Sequence, residues 1–328
     1  MKQFISEKLS LFTVNTETIK GGFTWQNSLT KRLAALLYTL ENKPVNCGAI
    51  RDCHNIIKNS TGVFSTFRGN MSLCIAAMLS LQANRDQMFS NTLLVYDMLK
   101  TEKFRASDYL TIAAYLVAAN TNSEHYRHTV ERAKEFYDGM KQRRWFQTGQ
   151  DDYIYSVMLG LSDIDTVTGI ERIEELYQRL KPEFWSGNSV QALSQVLVLG
   201  GKTNEAADHI LTLRDTFRNR KIKLDKMYTL PALGVLALVP IGGDVLAQDI
   251  MEVQIFLRTQ KGFGSLSVTT QELLLYSAAV ISSVYAEEMK SNIITSTSTS
   301  IASIIIAQQV AVIAAVSAST SAAASSSS

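Results

Sequence analysis

Apolar and polar residues follow two nested periods along this chain. On the short period, Val130, Ala133, Tyr137 and Met140 fall at i, i+3, i+7 and i+10, one stripe of an amphipathic α-helix. Stripes of helical spacing return as Phe89, Leu93 and Tyr96, as Ile170, Ile173, Tyr177 and Leu180, as Ala206, Ile210, Leu213 and Phe217, and as Leu246, Ile250, Val253 and Leu257. Between these stripes lie segments that are apolar nearly all round, among them Tyr109–Ala119, Val190–Leu199 and Leu230–Val239. Such segments predict helices buried on several sides.

On the long period, a bulky apolar residue recurs as Phe23, Phe64, Phe104, Phe146, Phe184, Leu224 and Phe263, with gaps of 38 to 42 residues. Each precedes a short polar or glycine-containing stretch, an all-round apolar segment and then an amphipathic one. The pattern predicts an all-α array of about six to seven helix pairs. Either an α/α toroid or a strongly curved α-solenoid accommodates one buried and one amphipathic helix per pair, and the apolar inner segments favour the more compact arrangement. Strand-like alternation bounded by hairpin signals is absent, and the four prolines, Pro44, Pro182, Pro231 and Pro240, stand near expected helix ends or first turns.

The 328 residues divide by composition into a helical lead-in at 1–20, the array at 21–290 and a Ser/Thr/Ala/Ile segment at 291–328 without a charged residue. An array grows as one body, so length alone does not call for two domains. The final segment reads as a disordered or loosely helical low-complexity tail, with partner docking and membrane anchoring as the other readings. Its apolar part, 301–318, only reaches the shortest span length and has no basic flank on its far side.

A net charge of +2 gives no global attraction to nucleic acid or membrane. Aromatics in core registers argue against a nucleic-acid surface, and a membrane role is not expected beyond a weak one for the tail. The expected partner is a protein, peptide or small-molecule ligand. Three unpaired cysteines, Cys47, Cys53 and Cys74, and an amino terminus whose apolar residues are broken by charge point to the cytoplasm. No metal or cofactor motif is present: His125 and His128 do not close a metal site, and phosphate-loop and Gly-x-Ser-x-Gly signatures are missing.

Chemistry therefore has to be sought at the junctions. Four residues beyond them stand Asn27, Arg68, Asp108, Asn188, Tyr228 and Ser267, mostly helix-capping types. Thr269 and Glu272 have capping-box spacing. Capping explains most of these positions. The adjacent pair Asp151–Asp152 exceeds what a cap needs, and Arg68 is no N-cap, so Arg68, Asn70, Asp108, Asp151, Asp152 and Tyr153 are the candidate binding residues. No catalytic set can be named, although a carboxylate site at this rim would suit an enzyme of α/α-toroid type. Lysines and arginines gather at the ends of the amphipathic segments, most densely from Arg214 to Lys226, where they can complement helix dipoles.

The stretches 103–114, 149–153 and 262–266 (KFRASDYLTIAA, GQDDY and GFGSL), with the Ala/Ser-rich end, resemble a bacterial all-helical family of about this length described as a domain of unknown function. The resemblance implies a bacterial cytoplasmic setting and brings no activity. The expectation is a noncatalytic scaffold or ligand-binding protein.

Overall fold

The computed structural model describes residues 1–201, 205–292 and 304–312. Among them every regular element is helical. In chain order these are α1 (Gln3–Gly22), α2 (Ser28–Leu40), α3 (Cys47–Ser60), α4 (Ser72–Ser80), α5 (Arg85–Thr101), α6 (Asp108–Asn120), α7 (Tyr126–Arg143) and α8 (Asp152–Leu161). There follow α9 (Thr166–Leu180), α10 (Gly187–Leu199), α11 (Glu205–Asn219), α12 (Leu230–Leu238), α13 (Gly243–Thr259) and α14 (Thr270–Asn292). Short 3₁₀ turns lie at Thr66–Arg68 and Lys181–Glu183. No described helix is long and apolar enough to cross a membrane.

The two helix types read from the sequence are both present. In α6 every residue from Leu110 to Ala118 is buried, and in α12 every residue from Leu230 to Leu238. By contrast α7 buries one stripe, Tyr126, Thr129, Val130, Ala133, Phe136, Tyr137 and Met140. The described residues form two compact units: an early one, Val14–Thr166 with residues 310–312, and a late one, Val167–Gln309 with Met1–Thr13. In the early unit α2 packs on α4 and α6 on α8, while α3, α5 and α7 back them. Tyr38 is bonded to Ser80 at 2.5 Å, and the Tyr115 hydroxyl donates to the Met78 carbonyl at 3.1 Å, so α4 is tied to both α2 and α6. In the late unit α10, α12 and α14 pack in sequence behind α11 and α13, and Phe12 closes on Phe263 and Tyr276 with ring centroids 5.4 and 5.5 Å apart.

Capping follows the junction positions only in part. Asn27 accepts from the Leu29 amide as expected, but α6 and α10 are capped by Ser107 and Ser186, which accept from the Leu110 and Ser189 amides, while Asp108 and Asn188 stand inside the first turns. Thr269 and Glu272 exchange both bonds of a capping box, at 2.7 and 3.2 Å. The helix stops have a physical cause as well. Lys103 adopts φ 66° and Lys221 φ 61°, and each precedes a residue whose amide reaches back five positions, Phe104 to the Leu99 carbonyl and Ile222 to Phe217. This is a Schellman turn, in which the following apolar residue folds back onto the helix. Phe104 is buried for that reason.

The junction residues do not all serve as core anchors. Phe104, Phe184, Leu224 and Phe263 are buried, but Phe64 and Phe146 are exposed. The 3₁₀ turn at Thr66–Arg68 turns Phe67 inward instead, where it stacks edge-on against Phe89 and Tyr96. Of the segment read as a low-complexity tail, residues 304–312 form a buried helix, and Gln309 donates to the Leu275 carbonyl at 3.2 Å. Isoleucine, valine and alanine supply enough apolar surface for that burial. The rest of the segment beyond α14 lies outside the described residues.

Candidate functional site

A cavity of about 890 Å³ opens in the late unit, walled by the end of α11 and the loop after it, by Gln254 of α13 and by Thr270, Gln271 and Leu274 at the start of α14. The loop is fixed from below. Ile222 and Leu224 are buried, and the Thr229 hydroxyl accepts from the Lys226 amide at 3.3 Å while lying within 3.4 Å of the Lys223 carbonyl. Lys221, Lys223 and Lys226 are left on the exposed side and line the cavity together with Arg218. The left-handed turn at Lys221 is a capping device, since Lys103 adopts it too, and Lys221 is among the residues that line the cavity.

The charges are strongly one-sided. Arg218 donates to Asp225 Oδ2 from Nε and Nη2, both at 2.6 Å. Among the described residues, Lys221, Lys223 and Lys226 have no acidic partner. The first turn of α14 adds the positive end of a helix dipole at Thr270 and Gln271. The Asp225 side chain is only 6% exposed, and its other oxygen, Oδ1, is buried without a hydrogen-bond partner, at a cost of about 1–3 kcal/mol for an unsatisfied buried acceptor.

A family model for proteins of unknown function, DUF4003, matches residues 15–311. The chain belongs to the DUF4003 family. No curated protein and no solved structure matches it.

The residues singled out from the DUF4003 sequence lie in the early unit, and the fold gives most of them mechanical partners. Arg68 donates from Nη2 to the carbonyls of Lys58 and Thr61 and from Nε to Thr61 Oγ1 at 3.2 Å, closing the C-terminus of α3. Asn70 is exposed on the loop beside it. Asp108 reaches the Met71 amide, and burial pushes its carboxyl above the usual carboxylate range against the pull of that bond. Asp152 is buried and accepts from the Gly149 amide at 2.9 Å, and Asp151 stands before it at the start of α8. The Tyr153 hydroxyl accepts from the Arg105 amide at 3.1 Å, and its ring packs on Phe104 and Tyr137. These bonds join three successive junction loops in a row, the second to the first through Asp108 and to the third through Tyr153.

The cavity of the DUF4003 chain was visible in its sequence only as the dense cations between Arg214 and Lys226. What the sequence withholds is that Gln254, Thr270 and Gln271 close the opposite wall. Among the described residues no cluster of histidine, cysteine and carboxylate could hold a metal. Burial pushes the Cys53 thiol up to about 11, which keeps it protonated and inert.

Proposed function

We propose that this DUF4003 protein is a noncatalytic binding protein whose ligand is a small phosphorylated or otherwise multiply anionic molecule held in the late-unit cavity. One observation carries the reading: three unpaired lysines and Arg218 share a wall with a helix start. The cations and the α14 amides take the anion. A cavity near 890 Å³ falls within the usual range for small-molecule sites, roughly 300–1,000 Å³.

The test is thermal stabilisation of the full chain by a panel of sugar phosphates, nucleotides and inorganic phosphate. A true ligand at about a hundred times its Kd adds roughly 2.7 kcal/mol of stability. Lys223→Glu combined with Lys226→Glu is expected to abolish that shift. If no anion stabilises the protein, or if the double substitution leaves the shift intact, the reading fails. Reproducible turnover of any bound compound would overturn its noncatalytic part.

A further inference from the structure

Tryptophan is ordinarily among the more buried residues, because its large ring gains most from leaving water. All three tryptophans of this chain do the opposite. Trp25 is 99% exposed and Trp145 72% in the early unit, and Trp185 stands equally clear in the late one. Each lies on a loop that leads into an all-round buried helix. In the early unit Phe64 and Phe146 are exposed on loops of the same kind, and Phe146 packs edge-on against Trp145 at 5.7 Å.

These loops share one end of the early unit. They lead into α2, α4, α6 and α8; Cys74 near the start of α4 reaches the Thr30 carbonyl near the start of α2, and the Asp108–Met71 and Tyr153–Arg105 bonds fasten the starts of α4, α6 and α8 side by side. Trp25, Phe64 and the Trp145–Phe146 pair stand on three separate loops, an arrangement that suits a soft planar surface better than a knob entering a pocket. Exposed cations flank them: Lys20, Lys103, Arg105, Lys141 and Arg143. Lys20 pairs with Glu17 at 3.7 Å, and the acidic residues near these cations, Glu17, Glu102, Asp108 and Asp151, are half-buried. Indole and phenyl rings settle at the boundary between headgroup and acyl chain, and exposed lysine and arginine are drawn to anionic headgroups.

We propose that this end of the early unit is a docking surface for an anionic lipid bilayer, with Trp25, Phe64, Trp145 and Phe146 entering the interface and the five cations engaging the headgroups. Attachment is peripheral, in keeping with the absence of a spanning helix among the described residues. It involves other residues than the late-unit cavity, so either proposal can fail alone.

The experiment uses the full chain with vesicles of phosphatidylglycerol and phosphatidylcholine, and with phosphatidylcholine alone. The expected result is a blue shift of tryptophan emission and co-sedimentation with the anionic vesicles, both reduced by added salt. Trp145→Ser with Phe146→Ser is expected to weaken partitioning roughly tenfold or more, and Lys141→Gln with Arg143→Gln by roughly thirtyfold. Trp25→Ser, on a different loop, should weaken it too, and an unchanged far-ultraviolet helix signal in each variant excludes misfolding. The proposal is overturned if no vesicle shifts the emission or carries the protein down, or if the aromatic variants partition as the wild type does. It is equally overturned if those variants abolish a concentration-dependent self-association while vesicles never bind, because the surface would then serve a second copy of the chain.

Discussion

Gly160, in α8, measures how tightly the early unit is packed. An alanine Cβ there would lie 2.7 Å from the Thr129 carbonyl oxygen and 2.9 Å from the Ala133 amide nitrogen, both backbone atoms of α7, and 3.1 Å from the Ala133 Cβ. Backbone cannot rotate away, so α8 would have to retreat by several tenths of an ångström. The move also draws the Gly160 carbonyl from Arg132 Nε, which it meets at 3.1 Å. In a helix without neighbours, Gly→Ala gains about 1 kcal/mol. Overpacking costs about 1–3 kcal/mol, and rigid backbone on the far side places this case at the upper end. The net expectation is a loss of about 1–2 kcal/mol, or a melting point lower by about 2–8 °C. The control is Gly21→Ala near the end of α1, where the added methyl meets nothing within 4 Å; there the same substitution should stabilise by up to about 1 kcal/mol. Urea unfolding followed by circular dichroism reads both. If Gly160→Ala raises the midpoint as Gly21→Ala does, the close α7–α8 approach is wrong.

Two more outcomes follow from the same unit. Arg132 spans the carbonyls of Gly160, Ser162 and Ile164 at 3.1, 2.9 and 2.6 Å, so Arg132→Leu should cost about 2–4 kcal/mol in urea unfolding, and Arg132→Lys should recover little because one ammonium cannot reach three acceptors. Asp108 has its carboxyl pKa raised by burial; the stability tied to its protonated form is full below the ordinary carboxylate range and is lost as pH rises through the folded value. Asp108→Asn stays neutral and keeps an acceptor for the Met71 amide, so from about pH 4 to 7 it should lose less stability than the wild type, and thermal melts showing a steeper loss in the variant would refute this.

Helix type was legible in the sequence because it is local, whereas of the caps only Asn27 and the Thr269–Glu272 box stood where they were expected. The body of α6 and the stripe of α7 follow from spacing alone, and Thr269–Glu272 is a three-residue relation. Position within a loop is less local. The period marks where Phe64 and Phe146 stand but not which neighbour turns inward, since the 3₁₀ turn that buries Phe67 is set by packing against Phe89 and Tyr96. Arg68 excludes itself as an N-cap by residue type, yet its bonds to carbonyls upstream at Lys58 and Thr61 depend on the path of the turn. The cavity needed the greatest reach: the cations were plain, but the wall facing them comes from α13 and from the start of α14, some 30 to 50 residues further on.

The closure of the late unit by Phe12 has a consequence for the order of synthesis. Its ring partners, Phe263 and Tyr276, are made some 250 residues later. At a translation rate of about 5–20 residues per second the front of α1 must wait roughly 12–50 s for them. During that interval Ile5, Leu9 and Phe12, all wholly buried in the finished protein, are left beside the ribosome without their final neighbours, and a chaperone that shields short apolar helices would find its clearest client there.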